Sequence, residues 1–236
     1  MHLSRISLFP ERFPTVEEYP FNLSVLRNTR AVELKAPVTF FVGENGSGKS
    51  TLLKAVSRKC GIHIWDEAER SRFEYNPLER DLHKYLEITW ANGEKPGAHI
   101  SSETYLHFTC MVDEWASLDK NLMDYFGGKS LMAQSHGESF MAFFRSRFAI
   151  EGIFLLDEPE TALSPRRQIE FLQLLRDTGG AGRAQFIIAT HSPILLACPG
   201  AELLSFNGKR IEAIGYEQTD YYRIYRDFLL DRGKYL

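Results

Sequence analysis

The sequence predicts an α/β domain built on a mostly parallel central sheet, with an antiparallel β subdomain and an inserted helical lobe. Residues 38–42 form an apolar, β-rich run that leads through a glycine-rich loop into the helix-compatible residues 51–56. Residues 153–156 are continuously apolar, as is typical of a parallel strand buried on both faces, and residues 185–189 indicate another buried strand. A strand–loop–helix unit followed by further buried strands favours the parallel arrangement.

The composition is that of a soluble globular protein. Of the 236 residues, 44% are hydrophobic and 25% are charged, and the formal net charge is −3. Because the whole chain carries no basic field, tight nonspecific nucleic-acid binding is not indicated, although a local basic patch stays open. The sequence contains no signal peptide and no apolar run of roughly 18 residues, so we expect a cytoplasmic protein without direct membrane insertion.

The first half of the chain predicts two strands and a long insertion. Residues 3–9 and 31–34 are the predicted strands, and a proline-bearing stretch separates them. Asn92-Gly93 indicates a turn or a hairpin. We interpret residues 1–236 as a single domain. Its core lobe comprises about residues 1–57 and 150–236, and the inserted lobe comprises about residues 58–149.

The second half predicts helices and a hairpin. Ser164 followed by Pro165 is typical of a helix start, and this helix is expected to bury a stripe that includes Ile169 and Leu175. Asn207-Gly208, between two apolar runs, indicates a β-hairpin. The last helix carries an apolar stripe made of Tyr221, Ile224, Tyr225, Phe228 and Leu229.

The most informative motif is Gly-Glu-Asn-Gly-Ser-Gly-Lys-Ser at residues 43–50, which fits the phosphate-binding pattern G-x-x-x-x-G-K-[ST]. Its glycines permit backbone angles closed to other residues, so the loop can turn its N–H groups toward phosphate oxygens. Lys49 is expected to reach the β- and γ-phosphates of ATP, and the Ser50 hydroxyl is expected to bind Mg²⁺. A chance glycine-rich turn is disfavoured by the strand and the helix that flank the motif. The predicted nucleotide contacts here are Gly43, Glu44, Asn45, Gly46, Ser47, Gly48, Lys49, Ser50 and Thr51.

Two acidic residues and a histidine follow the later buried strands. Asp157 and Glu158 end one strand, at the sheet edge where α/β proteins bind ligands. Asp157 is expected to hold Mg²⁺, and Glu158 to orient or deprotonate the attacking water. His191 lies just past the next strand and can point toward the γ-phosphate. A lone histidine is more often structural, but the two preceding motifs favour the functional interpretation.

The order of these motifs resembles the ABC-type ATPases. In that comparison the loop at residues 43–50 is the Walker A motif, Ser-His-Gly-Glu at residues 135–138 the signature, residues 153–158 the Walker B motif, residues 160–164 the D-loop and His191 the H-loop. The Thr-His-Ser-Pro and Asp-Glu-Pro-Glu sequences are similar to those of the non-transporter SMC, RecF and OLD branch, and within it to small stand-alone bacterial ATPases. The resemblance implies the P-loop NTPase fold and ATP hydrolysis that depends on Lys49, Glu158 and His191.

The resemblance also implies an ATP-dependent homodimer with two ATP molecules between two copies. Ser135 and Gly137 of one copy would contact the γ-phosphate bound by Lys49 of the other. Such a dimer would switch a protein partner that the sequence does not identify, or act on nucleic acid in DNA repair or phage defence. The alternatives are the nucleotide-binding subunit of an ABC membrane transporter and a module that binds ATP with little turnover.

The chain departs from the family pattern in several places. Gln134 and His136 replace the usual leucine and first glycine of the signature. The Q-loop glutamine is missing, and Glu103 lies near its expected place, where an ionised carboxylate could not donate a hydrogen bond. Tyr19 and Phe21 are candidates for stacking on adenine, and core packing is equally open for both.

Overall fold

The central sheet contains the strands predicted to be parallel. The computed structural model describes residues 1–64, 76–101, 105, 109, 114 and 136–236. In the central sheet the order is β5-β6-β7-β3-β8-β9; all neighbours are parallel except β8 and β9, which form the hairpin predicted at Asn207-Gly208. The strands are β1 (Leu3–Leu8), β2 (Ala31–Glu33), β3 (Val38–Val42), β4 (Leu86–Trp90), β5 (Gly97–Ser101), β6 (Gly152–Asp157), β7 (Ala184–Ala189), β8 (Glu202–Ser205) and β9 (Glu212–Ala213).

A separate three-stranded antiparallel sheet has the order β2-β1-β4. It contains both strands predicted in the first half of the chain. The turn predicted at Asn92-Gly93 is present, but a hairpin there is wrong, since β4 pairs with β1 whereas β5 pairs with β6 in the central sheet. The predicted lobe at residues 58–149 thus supplies one strand to each sheet. Residues 65–75 and most of residues 102–135 lie outside the described residues, so the inserted helical lobe and its division from the core stay predictions.

The helices pack on both faces of the central sheet. Alternate residues of a strand point to opposite faces, so Phe154 and Leu156 join one hydrophobic cluster while Ile153 and Leu155 join the other. Among the described residues, no helix has both the length and the apolar character needed to cross a bilayer. The helices are α1 (Ser24–Arg27), α2 (Lys49–Lys59), α3 (Pro77–Asp81), α4 (His136–Arg147), α5 (Pro165–Gly180), α6 (Pro193–Leu196) and α7 (Asp220–Leu230).

The start of α5 is as predicted, but its buried stripe differs. The Ser164 hydroxyl caps the helix by accepting from the Arg167 N–H. Leu175 is buried as predicted, but Ile169 is 52% exposed, which corrects its assignment to the core, because α5 turns Gln168 and Phe171 inward with Leu175.

The burial of helix α7 departs further from its prediction than the burial of α5 does. Its predicted apolar stripe faces outward, and only its first residues approach the core. The exposed members of the stripe are Ile224, Tyr225, Phe228 and Leu229.

Candidate functional site

The glycine-rich loop joins the end of β3 to the start of α2. Gly46 and Gly48 have φ angles of 76° and 100°, a region that side-chain-bearing residues rarely adopt. A Cβ at Gly48 would also lie 2.8 Å from Leu23 Cδ1. Gly46 therefore needs glycine for its backbone angle alone, whereas Gly48 needs it both for the angle and for the close approach of Leu23. The Ser47 Oγ in the same loop is buried and has no hydrogen-bond partner within the described residues.

Lys49 is the first residue of α2 and is only 4% exposed. Its Nζ donates to the Gly43 carbonyl oxygen at 2.6 Å and to the Glu44 carbonyl oxygen at 2.9 Å. Burial lowers the pKa of Lys49, and the charges of Glu158 and Asp157 offset part of that effect. The amino group is thus held against the loop, with carboxylates close enough to stabilise its charge.

Ser50 and Asp157 come together from different elements. The Ser50 Oγ donates to Asp157 Oδ1 at 2.9 Å, joining the first turn of α2 to the end of β6. Asp157 is 8% exposed, and burial raises its pKa to about 6, with the Ser50 hydrogen bond acting in the opposite direction. A hydroxyl and a buried carboxylate side by side are oxygen ligands of the kind that Mg²⁺ takes from proteins that bind nucleotides.

Glu158 has an unusual backbone. Its φ of 48° and ψ of 52° lie in the left-handed region, and no other non-glycine residue among those described has a positive φ. Such strain is kept where the surrounding structure imposes it, often at functional sites. Glu158 Oε1 lies 3.1 Å from His191 Nε2.

His191 is held on three sides. Its backbone N–H donates to Glu160 Oε1 at 2.6 Å, which ties the end of β7 to the segment after β6. Its Nε2 faces Glu158, and its Nδ1 lies 2.5 Å from the Tyr221 hydroxyl oxygen. Burial is the main cause that lowers the pKa of His191, the positive charge of Lys49 adds to it, and Glu158 opposes it.

Tyr221 and Asn207 are site residues that the sequence interpretation missed. The Tyr221 hydroxyl oxygen lies within hydrogen-bond distance of the Gly43 carbonyl oxygen, at 3.0 Å. Asn207 Oδ1 accepts from the Glu44 N–H at 2.8 Å, and its Nδ2 donates to Asp220 Oδ2 at 3.1 Å. The hairpin turn and the start of α7 therefore support the loop from the C-terminal side. Both residues carried only a local signal, a turn and an apolar stripe, and neither signal indicates a contact with the loop.

The adenine candidates have different positions. Phe21 is fully buried and packs against the rings of Phe13 and Tyr85, so of its two open interpretations the structure supports core packing. The Tyr19 hydroxyl is hydrogen-bonded to Thr51 Oγ1, so Tyr19 lies beside the first turn of α2.

The predicted signature is only partly described. Gly137 lies in the first turn of α4, and the atoms nearest to a Cβ placed there are the Ala162 carbonyl oxygen and Arg167 Cγ, at 3.4 and 3.7 Å. Helix α4 therefore begins against the segment that follows Glu158. Ser135, Gln134 and Glu103 lie outside the described residues.

Comparisons with known proteins agree with this architecture. A family model described as "AAA domain, putative AbiEii toxin, Type IV TA system" matches residues 140–197, and a model described as "AAA domain" matches residues 21–60. The petrobactin import ATP-binding protein FpuD of Bacillus anthracis is 24% identical over 196 residues, which are 77% of this chain and 71% of that protein.

Two solved structures share the fold. The ADP conformation of an ATP-binding cassette from an ABC transporter aligns with a TM-score of 0.56 at 14% identity, covering 92% of this chain and 93% of that one. The Smc head domain from Pyrococcus furiosus, with an extended coiled coil and bound to part of ScpA, aligns with a TM-score of 0.53 at 11% identity, covering 97% and 99%. These matches show that the chain shares its fold with an ABC transporter cassette and an SMC head, and that its sequence is similar to AAA domain models and to the ATP-binding protein of an importer.

Proposed function

We propose that this chain is an ABC-type ATPase, which binds ATP with Mg²⁺ at the carboxyl edge of its central sheet and hydrolyses it between two copies of the chain. The observation that carries the proposal is the convergence of three separate segments at that edge. Lys49 lies over the glycine loop, Ser50 is bonded to Asp157, and Glu158 faces His191. These are the groups needed to bind phosphates, hold a metal ion and move a proton.

The donor set fits a bound nucleotide. Ser47 Oγ has no hydrogen-bond partner in the part of the chain that the structure describes, so this oxygen and the N–H groups of the glycine loop can contact phosphate oxygens. The Lys49 amino group is close to the same loop. Ser50 and Asp157 would hold Mg²⁺, which supplies charge neutralisation for the phosphates when it is bound. Ionisation of Asp157, which burial disfavours, would be restored by a neighbouring cation.

Glu158 and His191 would act on the attacking water and on the phosphate, respectively. The Glu158 carboxylate is 39% exposed and can accept a proton from a water molecule that approaches from the open side. His191 can donate a hydrogen bond to a phosphate oxygen while it stays in contact with Glu158. Glu160 keeps His191 at the end of β7 through the backbone hydrogen bond.

The dimer is proposed from the position of Gly137 and the family resemblance. Helix α4 begins beside Ala162, in the segment after Glu158. Such a helix start can face a nucleotide held by a second copy. Ser135 and Gly137 of one copy would then complete the site that contains Lys49 of the other copy. Hydrolysis would remove the γ-phosphate and with it the attraction between copies.

The Glu158→Gln variant tests this proposal. It keeps the shape of the site but removes the proton acceptor, so turnover should fall on the order of a hundredfold or more while ATP binding stays. With ATP and Mg²⁺, light scattering after size-exclusion chromatography should show twice the monomer mass. The control Glu158→Gln with Ser135→Arg should bind ATP but stay monomeric. A Glu158→Gln protein that remains monomeric with saturating ATP contradicts the two-copy site.

A second candidate function is the nucleotide-binding subunit of a membrane transporter. It is favoured by the relatives, which include an import ATP-binding protein. The Thr-His-Ser-Pro sequence and the missing Q-loop glutamine favour instead a protein partner or nucleic acid outside a transporter. Affinity purification from native membranes separates the two, because a transporter subunit should co-purify with an integral membrane protein.

A further inference from the structure

Tyr221 connects the histidine of the site to the glycine loop. Its hydroxyl oxygen lies 2.5 Å from His191 Nδ1 and 3.0 Å from the Gly43 carbonyl oxygen. The two rings meet nearly edge to face, with centroids 5.3 Å apart and an angle of 84° between their planes. Since Tyr221 contacts His191 and the loop, it is placed to control which nitrogen of His191 carries hydrogen.

The hydrogen-bonding groups around the His191 ring restrict which of its two nitrogens can carry the hydrogen. An ionised Glu158 only accepts, so its contact with His191 Nε2 requires a hydrogen on Nε2. A neutral imidazole has a single N–H, so Nδ1 must then accept a hydrogen bond. The Tyr221 hydroxyl is the donor in position to supply it.

The protonation states agree with this arrangement. Burial and the charge of Lys49 lower the pKa of His191, which favours the neutral ring at neutral pH. Burial raises the pKa of Tyr221 to about 12, so its hydroxyl keeps its hydrogen. Both groups are therefore neutral partners in a hydrogen bond.

The Tyr221 hydroxyl has one hydrogen and two acceptors within reach, the Gly43 carbonyl oxygen at 3.0 Å and His191 Nδ1 at 2.5 Å. Lys49 Nζ already donates to the Gly43 carbonyl oxygen at 2.6 Å. The Tyr221 hydroxyl can consequently turn its hydrogen to His191 Nδ1 without leaving a buried carbonyl oxygen unsatisfied.

We propose that Tyr221 is a positioning residue that holds His191 in the tautomer with hydrogen on Nε2. This tautomer makes His191 a donor toward Glu158 and, if the proposed function holds, toward the γ-phosphate. Tyr221 is itself fixed by the first turn of α7. The Thr219 side chain caps that turn by accepting from the Tyr222 N–H, and Asp220 accepts from Asn207.

The direct test is nitrogen-15 NMR of the full chain labelled at histidine, with His191 assigned by the loss of its signals in His191→Gln. We expect hydrogen on Nε2 and a bare Nδ1 that accepts a hydrogen bond. In Tyr221→Phe the Nδ1 resonance should move, because the donor is gone, whereas Tyr225→Phe should leave it in place. Hydrogen on Nδ1 in the unmodified protein, or an Nδ1 resonance that is the same in Tyr221→Phe, overturns the proposal.

Kinetics supply the second readout. Removing the group that orients a functional histidine commonly costs about tenfold to a hundredfold in activity, so Tyr221→Phe should lower kcat in that range. KM for ATP should stay within about twofold, since the ring and the loop contacts of Lys49 remain. Tyr225→Phe removes the same atom one turn further along α7, where the ring is 53% exposed, and should keep kcat. An unchanged kcat in Tyr221→Phe contradicts the proposal.

The two readouts separate this inference from the proposed function on which it rests. The NMR experiment needs neither ATP nor turnover. A chain with the expected tautomer but no ATPase activity would refute the proposed function alone, whereas an active chain with hydrogen on Nδ1 would refute the role of Tyr221 alone.

Discussion

Helices α2 and α7 both begin beside the glycine loop, but they are held there in different ways. Helix α2 buries seven of its eleven residues, among them Lys49 and Leu52, between the central sheet and the antiparallel sheet. Helix α7 has no buried residue, and Leu229 and Leu230 near its end are 76% and 79% exposed. One helix combines the core and the site, while the other contributes to the site through its first turn only.

This contrast teaches that residues of a site need not share the stability of the fold around them. Changes at the buried apolar positions of α2, such as Leu52, should alter folding and chemistry together, because they support the helix that carries Lys49 and Ser50. Changes in α7 should separate them, because Tyr221 contacts the site while the outer face of α7 packs against little.

The largest expected difference between the two helices is in stability. Leu52→Ala leaves a cavity in a fully buried position and should lower the free energy of unfolding by about 2 to 5 kcal/mol. Leu229→Ala removes the same atoms from an exposed position and should change it by no more than about 0.5 kcal/mol. Urea denaturation followed by circular dichroism measures both. Comparable losses of unfolding free energy in Leu52→Ala and Leu229→Ala would contradict the difference in stability between α2 and α7.

A slightly smaller effect on the free energy of unfolding, of opposite sign, is expected for a substitution at Asp157, whose side chain is hydrogen-bonded to Ser50 in α2. An unfolded chain releases the Asp157 proton near pH 3.8, whereas the folded chain keeps it to about pH 6. The folded state therefore binds more protons in this window, so the contribution of Asp157 to stability falls as pH rises through it. The shift from 3.8 to about 6 corresponds to about 3 kcal/mol at neutral pH.

Asp157→Asn should remove this cost. Without nucleotide and with a chelator present, the variant should be more stable than the unmodified protein at pH 7, by up to that amount, and the difference should vanish near pH 4. Thermal unfolding across this range measures it. A variant that is less stable at pH 7 would mean that Asp157 is stabilised as a carboxylate in the folded state.

The local parts of the fold and site were predictable from sequence. The strands around the glycine loop, the cap at Ser164 and the hairpin at Asn207-Gly208 follow from patterns a few residues long. The meeting of Ser50, Asp157 and His191 follows because the ends of parallel strands share one edge of a sheet.

What could not be predicted depends on partners far away in sequence. The turn at Asn92-Gly93 gave no information on which strands β4 and β5 would pair with. Tyr221 reaches Gly43 across 178 positions, and within its own helix it looks like one more apolar residue. Ile169 fitted a helical period, but which residues of α5 turn inward depends on how the helix packs against the rest of the protein, and these are Gln168, Phe171 and Leu175.

The most direct measurement of the central claim is a calorimetric titration of the chain with ATP and Mg²⁺, alongside Lys49→Ala. Lys49 is the charged group closest to the loop carbonyls, so its loss should weaken or abolish binding while the fold persists. We expect saturable heat for the unmodified chain and none, or a much weaker response, for Lys49→Ala. Absence of heat in the unmodified chain, or equal binding by both proteins, would contradict an ATP site at this edge of the sheet.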